Sequence, residues 1–292
     1  MISLLVLGTG GAVPAPGRAN AAYHVTVDGF SLLVDPGPGA VSRLLDHPAG
    51  PDDPAAITTV VVTHFHPDHC HDLAALLFAR HSVLLRDAPP LQVIGPPGLR
   101  RYLAALDDLY GSWLEPAGAP LRADEVPPGR TLVPGPGGAW VPAADAGGAA
   151  GTPALQTFAA RHGETRYAEA NLCLRWTDGA GRSLAYSGDS EPCPGLVAAA
   201  RDADLLVVEC STPDALATAG HMSPARVARL CAEARPRRVA LTHLYPPAAA
   251  LDLPALLREP CGDTMVVLSD GDVLVVPEQR SPRPPTPDEE SP

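Results

Sequence analysis

The chain has 292 residues, of which 46% are hydrophobic and 18% are charged, so it holds enough apolar material for a buried core and is neither disordered nor fibrous. Its net charge is −12 and all 21 of its basic residues are arginine, a balance that disfavours general nucleic-acid binding, because such binding depends on many cationic side chains. No apolar run approaches the roughly 20 residues of a membrane span, and the 6 cysteines form no C-x-x-C pair of the kind that binds zinc. We expect a cytoplasmic globular protein.

The hydrophobic pattern predicts alternating strands and helices along most of the chain. Short runs rich in Val and Leu predict strands at 2–7, 22–27, 30–35, 59–63, 91–94, 131–133, 139–141, 154–160, 171–176, 182–187, 204–208 and 237–242. Helices are predicted at 39–47, 71–80, 98–110, 194–201 and 223–234. A final pair of strands, 264–268 and 272–276, is predicted to be joined through Ser269, Asp270 and Gly271. This alternation indicates a layered α/β domain over residues 1–278, followed by a disordered tail rich in proline and acidic residues at 279–292.

One predicted strand ends in a dense group of side chains that bind metals. Residues 63–69 read Thr-His-Phe-His-Pro-Asp-His, directly after a buried strand. Histidines at positions i and i+2 of an extended segment can point the same way, while Asp68 and His69 turn with the entry to the next helix. A lone histidine is more often structural than a ligand, but a string of this density indicates a loop that serves two adjacent metal ions.

The string resembles the signature of the metallo-β-lactamase superfamily. That fold is an αββα sandwich of two mixed β-sheets flanked by helices, with a dinuclear metal site at one edge. In that family a further histidine, an aspartate and a last histidine each follow a strand, and His162, Asp189 and His243 stand in this order here. The resemblance implies two overlapping sets of metal ligands, which are His64, His66, His162 and Asp189 for the first ion and Asp68, His69, His243 and Asp189 for the second. Histidine and aspartate ligands suit Zn²⁺, with Mn²⁺, Fe²⁺ and Co²⁺ left open.

Further segments resemble the ribonuclease Z-like phosphodiesterases across most of residues 1–245. The matching segments are 7–11, 33–37, 111–113, 188–190, 208–209, 220–224 and 241–243. In that group the histidine matching His221 lies near the departing oxygen, and a glutamate matching Glu209 orients it. The resemblance implies catalytic roles for Asp68, His221 and Glu209. Alternatively, Glu209 simply ends a buried strand and His221 caps the next helix.

The chain departs from this group in three places. Only 26 residues separate His162 from Asp189, too few for the long arm with which the group grips tRNA. Asp72 and Ala75 stand where the group favours glycine, and Leu-Tyr-Pro-Pro at 244–247 replaces its usual serine, arginine and tyrosine. Together with the absence of lysine, these departures make tRNA an unexpected substrate.

The sequence therefore predicts a metal-dependent hydrolase in which a bridging hydroxide, activated by two divalent ions, attacks a small anionic phosphodiester or short nucleotide. Hydrolysis of a lactone, a thioester or a sulfate ester stays open, as does a non-catalytic metal-containing protein that binds nucleotides. The resemblance also implies a homodimer. The sequence leaves open whether the arginines of two clusters bind substrate or form solvated helix faces; these are Arg100, Arg101, Arg235, Arg237 and Arg238.

Overall fold

Two β-sheets stack face to face in the computed structural model, which describes residues 1–146, 151–163, 166–167 and 169–276. The strands are β1 Ile2–Gly8, β2 Ala22–Val27, β3 Phe30–Val34, β4 Thr59–Val61, β5 Gln92–Gly95, β6 Arg122–Glu125, β7 Thr131–Pro134, β8 Trp140–Pro142, β9 Ala154–Ala160, β10 Asn171–Thr177, β11 Ser183–Tyr186, β12 Leu205–Glu209, β13 Val239–Thr242, β14 Val266–Val267 and β15 Val273–Val275. The α-helices are α1 Ala40–Asp46, α2 Pro67–His81, α3 Leu99–Tyr110, α4 Ala143–Ala146, α5 Pro194–Ala200, α6 Pro224–Ala234, α7 Pro246–Ala249 and α8 Leu253–Cys261. The tail predicted at 279–292 lies outside the described residues.

Both sheets are mixed. The first has the strand order β15-β1-β2-β3-β4-β5-β6, and the second has the order β14-β13-β12-β11-β10-β9-β7-β8. Strands β3 to β6 are parallel to one another, as are β11 to β14, and the remaining pairs are antiparallel. The carboxyl ends of the parallel strands define one edge of the sandwich.

The central strands are apolar on both faces because both faces are covered. In β1, Leu4 packs between the two sheets while Leu5 packs under the helices. In β12, Val207 lies between the sheets and Val208 lies under the helices of the other side. A strand buried on both faces reads as a continuous apolar run, which is why these segments were recognisable from the sequence.

Helices cover the outer face of each sheet. Helices α1, α2 and α3 pack on the first sheet through buried leucines such as Leu44 and Leu73. Helices α5, α6 and α8 pack on the second sheet through residues such as Leu196 and Leu230. The layers are therefore helix, sheet, sheet, helix, which confirms the αββα sandwich. None of the helices in the described ranges combines the length and the apolar composition needed to cross a bilayer.

The predicted pairing of the last two strands is wrong. β14 pairs in parallel with β13 of the second sheet, whereas β15 pairs antiparallel with β1 of the first sheet. The loop between β14 and β15 does not form a hairpin turn, because its residues form hydrogen bonds with β1 and the turn that follows it. The carboxylate of Asp270 accepts the Thr9 hydroxyl at 2.7 Å, and the Gly271 amide donates to the Val6 carbonyl at 2.8 Å. The loop therefore crosses from one sheet to the other.

Candidate metal centre

The first ligands come from the loop between β4 and α2. α2 begins at Pro67 rather than at residue 71. Proline is favoured at the first position of a helix, because the amide hydrogen it lacks has no partner within the helix there. Asp68 and His69 thus lie in the first helical turn, while His64 and His66 precede it in the extended loop. His64 and His69 are fully buried. Helix and loop together aim four side chains at the carboxyl edge of the sheets.

One group of nitrogens converges around His66. Its Nδ1 atom lies 3.1 Å from Nε2 of His64 and 2.9 Å from Nε2 of His162, which follows β9. The Oδ2 atom of Asp189, just beyond β11, lies 3.8 Å from both of those Nε2 atoms. Ligands at about 2.0–2.1 Å from a tetrahedral ion would have comparable mutual separations.

A second group converges around His69. Its Nε2 atom lies 3.2 Å from Nε2 of His243, which follows β13. The Oδ2 atom of Asp68 lies 3.6 Å from the first of these nitrogens and 3.4 Å from the second. The Oδ1 atom of Asp189 lies 3.3 and 3.4 Å from the same two nitrogens. The structure thus brings together all seven residues in which the sequence analysis looked for metal ligands.

The donor set fits divalent cations. Asp189 is 3% exposed, and its Oδ1 atom is buried without a hydrogen-bond partner although it faces two ring nitrogens. An orphaned carboxylate oxygen in a protein interior is costly unless a cation completes its environment. The two oxygens of this carboxylate face different histidine groups, so Asp189 lies between two candidate cation positions.

In four of the five rings, those of His64, His69, His162 and His243, the outer nitrogen is held by a second group, which fixes the inward direction of the other nitrogen. His69 Nδ1 donates to the Asp35 carboxylate at 3.1 Å, and His64 Nδ1 donates to the Thr63 hydroxyl at 3.0 Å. His162 Nδ1 donates to the Gly220 carbonyl at 2.8 Å. These four histidines are therefore oriented by the protein.

Asp35 is the residue that sequence reasoning missed. It follows β3 in a left-handed conformation with φ 47°, is fully buried, and accepts from the Thr63 amide and hydroxyl, both at 2.7 Å. The Tyr186 hydroxyl donates to it as well, at 3.0 Å. The available signal was a carboxylate that closes an apolar strand, since such a group needs several donors to be buried.

A chain of hydrogen bonds joins His243 to His221. His243 Nδ1 donates to the Ser211 hydroxyl at 2.8 Å, and that hydroxyl donates to Oε2 of Glu209. His221 Nδ1 donates to the same Oε2 atom at 3.0 Å. Glu209 is fully buried at the end of β12, and its other oxygen accepts the Ser190 amide at 2.7 Å. One carboxylate thus touches one of the metal-facing rings through a serine and holds a further histidine directly.

Burial and neighbouring charges shift the pKa values of the cluster residues in different directions. Burial holds the pKa of His64 well below its ordinary value, helped by repulsion from His69. Burial opposes the charge of His69 too, but the carboxylates of Asp189 and Asp35 outweigh it and raise its pKa well above normal. For Asp189, burial is outweighed by His243 and His69, so its pKa lies well below normal. The centre therefore stabilises positive charge between its carboxylates.

His221 is set apart from the ring cluster by its pKa. Burial would lower its pKa, but the hydrogen bond and the charge of Glu209 raise it to about 9. Its ring centroid lies 4.8 Å from that of His162, and its Nδ1 atom lies 3.9 Å from the Asp189 carboxylate. A protonated imidazole therefore stands beside the metal-facing groups at neutral pH.

The arginine cluster at 235–238 lies away from these groups, whereas Arg100 and Arg101 begin α3 just after β5, at the carboxyl edge of the first sheet. Residues 235–238 directly precede β13, whose other end leads to His243, so this cluster is at the opposite edge of the sheet. The Arg100 guanidinium donates to the Ala123 carbonyl at 3.2 Å, and the Arg101 guanidinium pairs with Glu169 at 3.2 Å. These contacts fit structural and surface roles.

Comparisons with known proteins give the same picture. The sequence profile of the beta-lactamase superfamily domain matches residues 31–244. Ribonuclease Z of Haloferax volcanii is 30% identical over 306 residues, covering 93% of this chain and 94% of the relative, and ribonuclease Z of Methanosarcina acetivorans is 27% identical, covering 84% and 88%.

Solved structures share the fold. The metallo-beta-lactamase fold protein YhfI from Bacillus subtilis superposes with a TM-score of 0.72 at 22% identity, covering 94% of this chain and all of that one. The short form of human tRNase Z superposes with a TM-score of 0.67 at 22% identity, covering 94% and 99%. The chain belongs to the beta-lactamase superfamily, within its ribonuclease Z-like branch of metal-dependent hydrolases.

Proposed function

We propose that the chain is a phosphodiesterase that uses two divalent metal ions to hydrolyse small anionic phosphodiesters or short nucleotides. The observation that carries the proposal is the position of Asp189, whose Oδ2 atom faces one histidine group and whose Oδ1 atom faces the other. Two adjacent ions are suited to stabilising both the attacking and the leaving oxygen of a phosphoryl transfer. The ribonuclease Z relatives support phosphodiester chemistry.

The proposed ligands fall into two sets, His64, His66, His162 and Asp189 for one ion and Asp68, His69, His243 and Asp189 for the other. Bound divalent ions supply Lewis acidity and make a neighbouring water acidic enough to act as a nucleophile at neutral pH. We propose Zn²⁺ as the native metal, because imidazole and carboxylate ligands suit it, although Mn²⁺, Fe²⁺ and Co²⁺ accept similar donors.

Asp68 and His221 have complementary proton roles in this proposal. Burial opposes ionisation of Asp68, but its hydrogen bond with His243 and the charge of His69 lower its pKa, so it is a carboxylate that can accept a hydrogen bond from the attacking water. Glu209 occupies Nδ1 of His221, which leaves the proton on Nε2 for the departing oxygen. Glu209 acts by orienting and charging that ring.

The segment between the third histidine and the aspartate bears on the size of the substrate. Its described residues form β10 and β11, which pair with each other through Leu174 and Tyr186 and run within the second sheet. A segment this short has no room for a long tRNA-binding arm, which supports a compact phosphodiester rather than tRNA as the substrate.

A substrate panel with a metal-site variant tests the proposal. Purified protein is assayed with bis(p-nitrophenyl) phosphate, cyclic nucleotides, a short RNA, a lactone and a thioester, with and without chelator. We expect chelator-sensitive turnover of the phosphodiesters and about two metal equivalents per chain by elemental analysis. The Asp189→Ala variant is expected to lose metal and to lose turnover by at least 100-fold.

The outcomes separate the alternatives. Turnover confined to the lactone or the thioester would replace the phosphodiesterase with another ester hydrolase of the same site. A holoprotein that binds nucleotides and turns over nothing would favour a binding protein. An Asp189→Ala variant that keeps both metal equivalents would overturn the assignment of this residue to both ligand sets.

We also propose that the chain forms a homodimer through an apolar surface at the ends of α2 and α3, which we call the aromatic face. It consists of Phe78, Leu109 and Trp113, whose side chains are 54%, 70% and 60% exposed. Phe78 and Trp113 pack edge to face at 6.1 Å between ring centroids. A second copy packed here would remove these exposed apolar side chains from water.

A further inference from the structure

Tyr245 borders the candidate metal centre and has no role in the function proposed so far. Its ring centroid lies 5.7 Å from that of His243 and 6.1 Å from that of His221. The residue is half-buried, so part of it is accessible to solvent. It occupies the position immediately before α7, in the segment where the sequence departs from the pattern of its group.

The surrounding backbone fixes this ring in place. The Tyr245 amide donates to the Ser211 carbonyl at 3.2 Å, and its own carbonyl accepts the Ala248 and Ala249 amides, both at 2.9 Å. On the other side the ring packs against Gly11, where an added Cβ atom would lie 2.1 Å from Cε1 of Tyr245. The turn after β1 therefore has glycine at this point because a side chain would displace the ring.

The phenol of Tyr245 is a hydrogen-bond donor and acceptor, as in any neutral tyrosine. The Ala12 amide donates a hydrogen bond to its oxygen. Accepting a hydrogen bond from that amide leaves the O–H proton for a second partner. In the described part of the chain, no side chain is hydrogen-bonded to this hydroxyl.

We propose that Tyr245 is a substrate-binding residue whose hydroxyl donates a hydrogen bond to a phosphoryl oxygen of the substrate on the His221 side of the centre. This inference rests on the proposed function. Pro246 and Pro247 follow directly and carry no cationic group, so this segment contributes a neutral contact from the phenol beside the charged His221 ring. A phosphodiester carries one negative charge, whereas a phosphomonoester carries up to two. A neutral donor such as the phenol can stabilise a phosphoryl oxygen of the singly charged diester without an added cation.

The Tyr245→Phe variant of the metal-loaded protein tests this contact, because it removes the hydroxyl and keeps the ring against Gly11. We expect kcat/KM for bis(p-nitrophenyl) phosphate to fall about 3- to 10-fold, as is typical of one neutral hydrogen bond. The dissociation constant of inorganic phosphate, measured by titration calorimetry, is expected to rise by a similar factor. Metal content and melting temperature are expected to match the wild type. Tyr110→Phe, at an exposed tyrosine at the end of α3, serves as the matched control.

Two results would overturn the inference. In the first, Tyr245→Phe binds phosphate and turns over the ester as the wild type does. In the second, it loses metal, which would assign the residue to the support of the ligands instead. If the wild type hydrolyses no phosphodiester, the proposed function fails by itself, and the comparison of phosphate binding still decides the role of Tyr245.

Discussion

The buried carboxylate of Glu209 determines the charge of the His221 ring. Its two oxygens accept hydrogen bonds from the Ser190 amide, the Ser211 hydroxyl and the His221 ring, so the carboxylate is compensated by two neutral donors and one protonated imidazole. Because the same carboxylate raises the pKa of His221 to about 9, the proton needed for a leaving group is present through the neutral range.

Replacing Glu209 by glutamine is expected to move the alkaline limit of activity to lower pH. The variant removes the negative charge that holds the proton on His221, so the ring becomes neutral at a lower pH, by about one to two units. The measurement is the pH profile of kcat/KM for a phosphodiester with a poor leaving group. Glu169→Gln, at an exposed glutamate paired with Arg101, is the control and should leave the profile unchanged. An alkaline limb that stays in place in Glu209→Gln would contradict the role of Glu209.

At the scale of single residues, sequence reasoning located the groups that share a motif and missed those that act through tertiary contacts. His64, His66 and His69 can be recognised from their spacing within six consecutive residues. Asp35 lies 28 residues before Thr63, and only the parallel pairing of β3 with β4 brings the two together. The local signal of Asp35, a carboxylate that closes an apolar strand, does not indicate which distant groups it will hold.

At the scale of elements, α2 holds the start of α1 through Asp72. The Oδ1 atom of Asp72 accepts the Gly39 amide at 3.0 Å and its Oδ2 atom accepts the Val41 amide at 2.9 Å. The Asp72 amide in turn donates to the Pro36 carbonyl at 2.9 Å. α1 has no capping side chain of its own, since its N-cap is Gly39, so the carboxylate of another helix satisfies its first turn.

The Asp72→Ala variant is therefore expected to lower the stability of the protein by about 1 to 2 kcal/mol, the usual cost of a lost helix cap. In a domain of this size that corresponds to a fall of about 2 to 4 °C in melting temperature, measured by calorimetry. Asp46→Ala is the control, because Asp46 is exposed at the carboxyl end of the same helix, where an acidic residue gives no favourable dipole interaction. Equal melting temperatures for both variants would contradict the capping role.

Elements with a strong apolar period were predictable, and those defined by their neighbours were not. β6, which reads Arg-Ala-Asp-Glu, lacks an apolar pattern because it lies at the edge of the first sheet with a polar outer side. The strands predicted at 131–133 and 139–141 are present as β7 and β8, which pair antiparallel. The pairing of β14 and β15 failed because a turn signal cannot distinguish a hairpin from a crossing between sheets.

At the scale of the whole molecule, the aromatic face and the net charge of −12 act in opposite directions on self-association. Repulsion between acidic chains is screened beyond about 8 Å at physiological salt, whereas the apolar contact is not. The aromatic face is therefore expected to dominate at that ionic strength.

The Trp113→Glu variant tests this expectation. Light scattering after size-exclusion chromatography should give a dimer for the wild type and a monomer for the variant at the same concentration, because a buried glutamate without a partner is costly. Leu256→Glu, at an exposed leucine of α8, should remain dimeric. A monomeric wild type, or a variant that still dimerises, would show that the aromatic face is not the interface.

The pairing of β1 with β15 has a consequence for how the protein is made. Ser3 lies opposite Val275, so one side of the first strand gains its partner only after residue 275 has been synthesised. Until then that margin presents unsatisfied backbone groups and invites association with other nascent chains. The clasp between Thr9 and Asp270 also waits for this moment. The turn beside Tyr245 therefore reaches its final position late in synthesis. Termination before residue 270 would leave this turn without its hydrogen bond to Asp270.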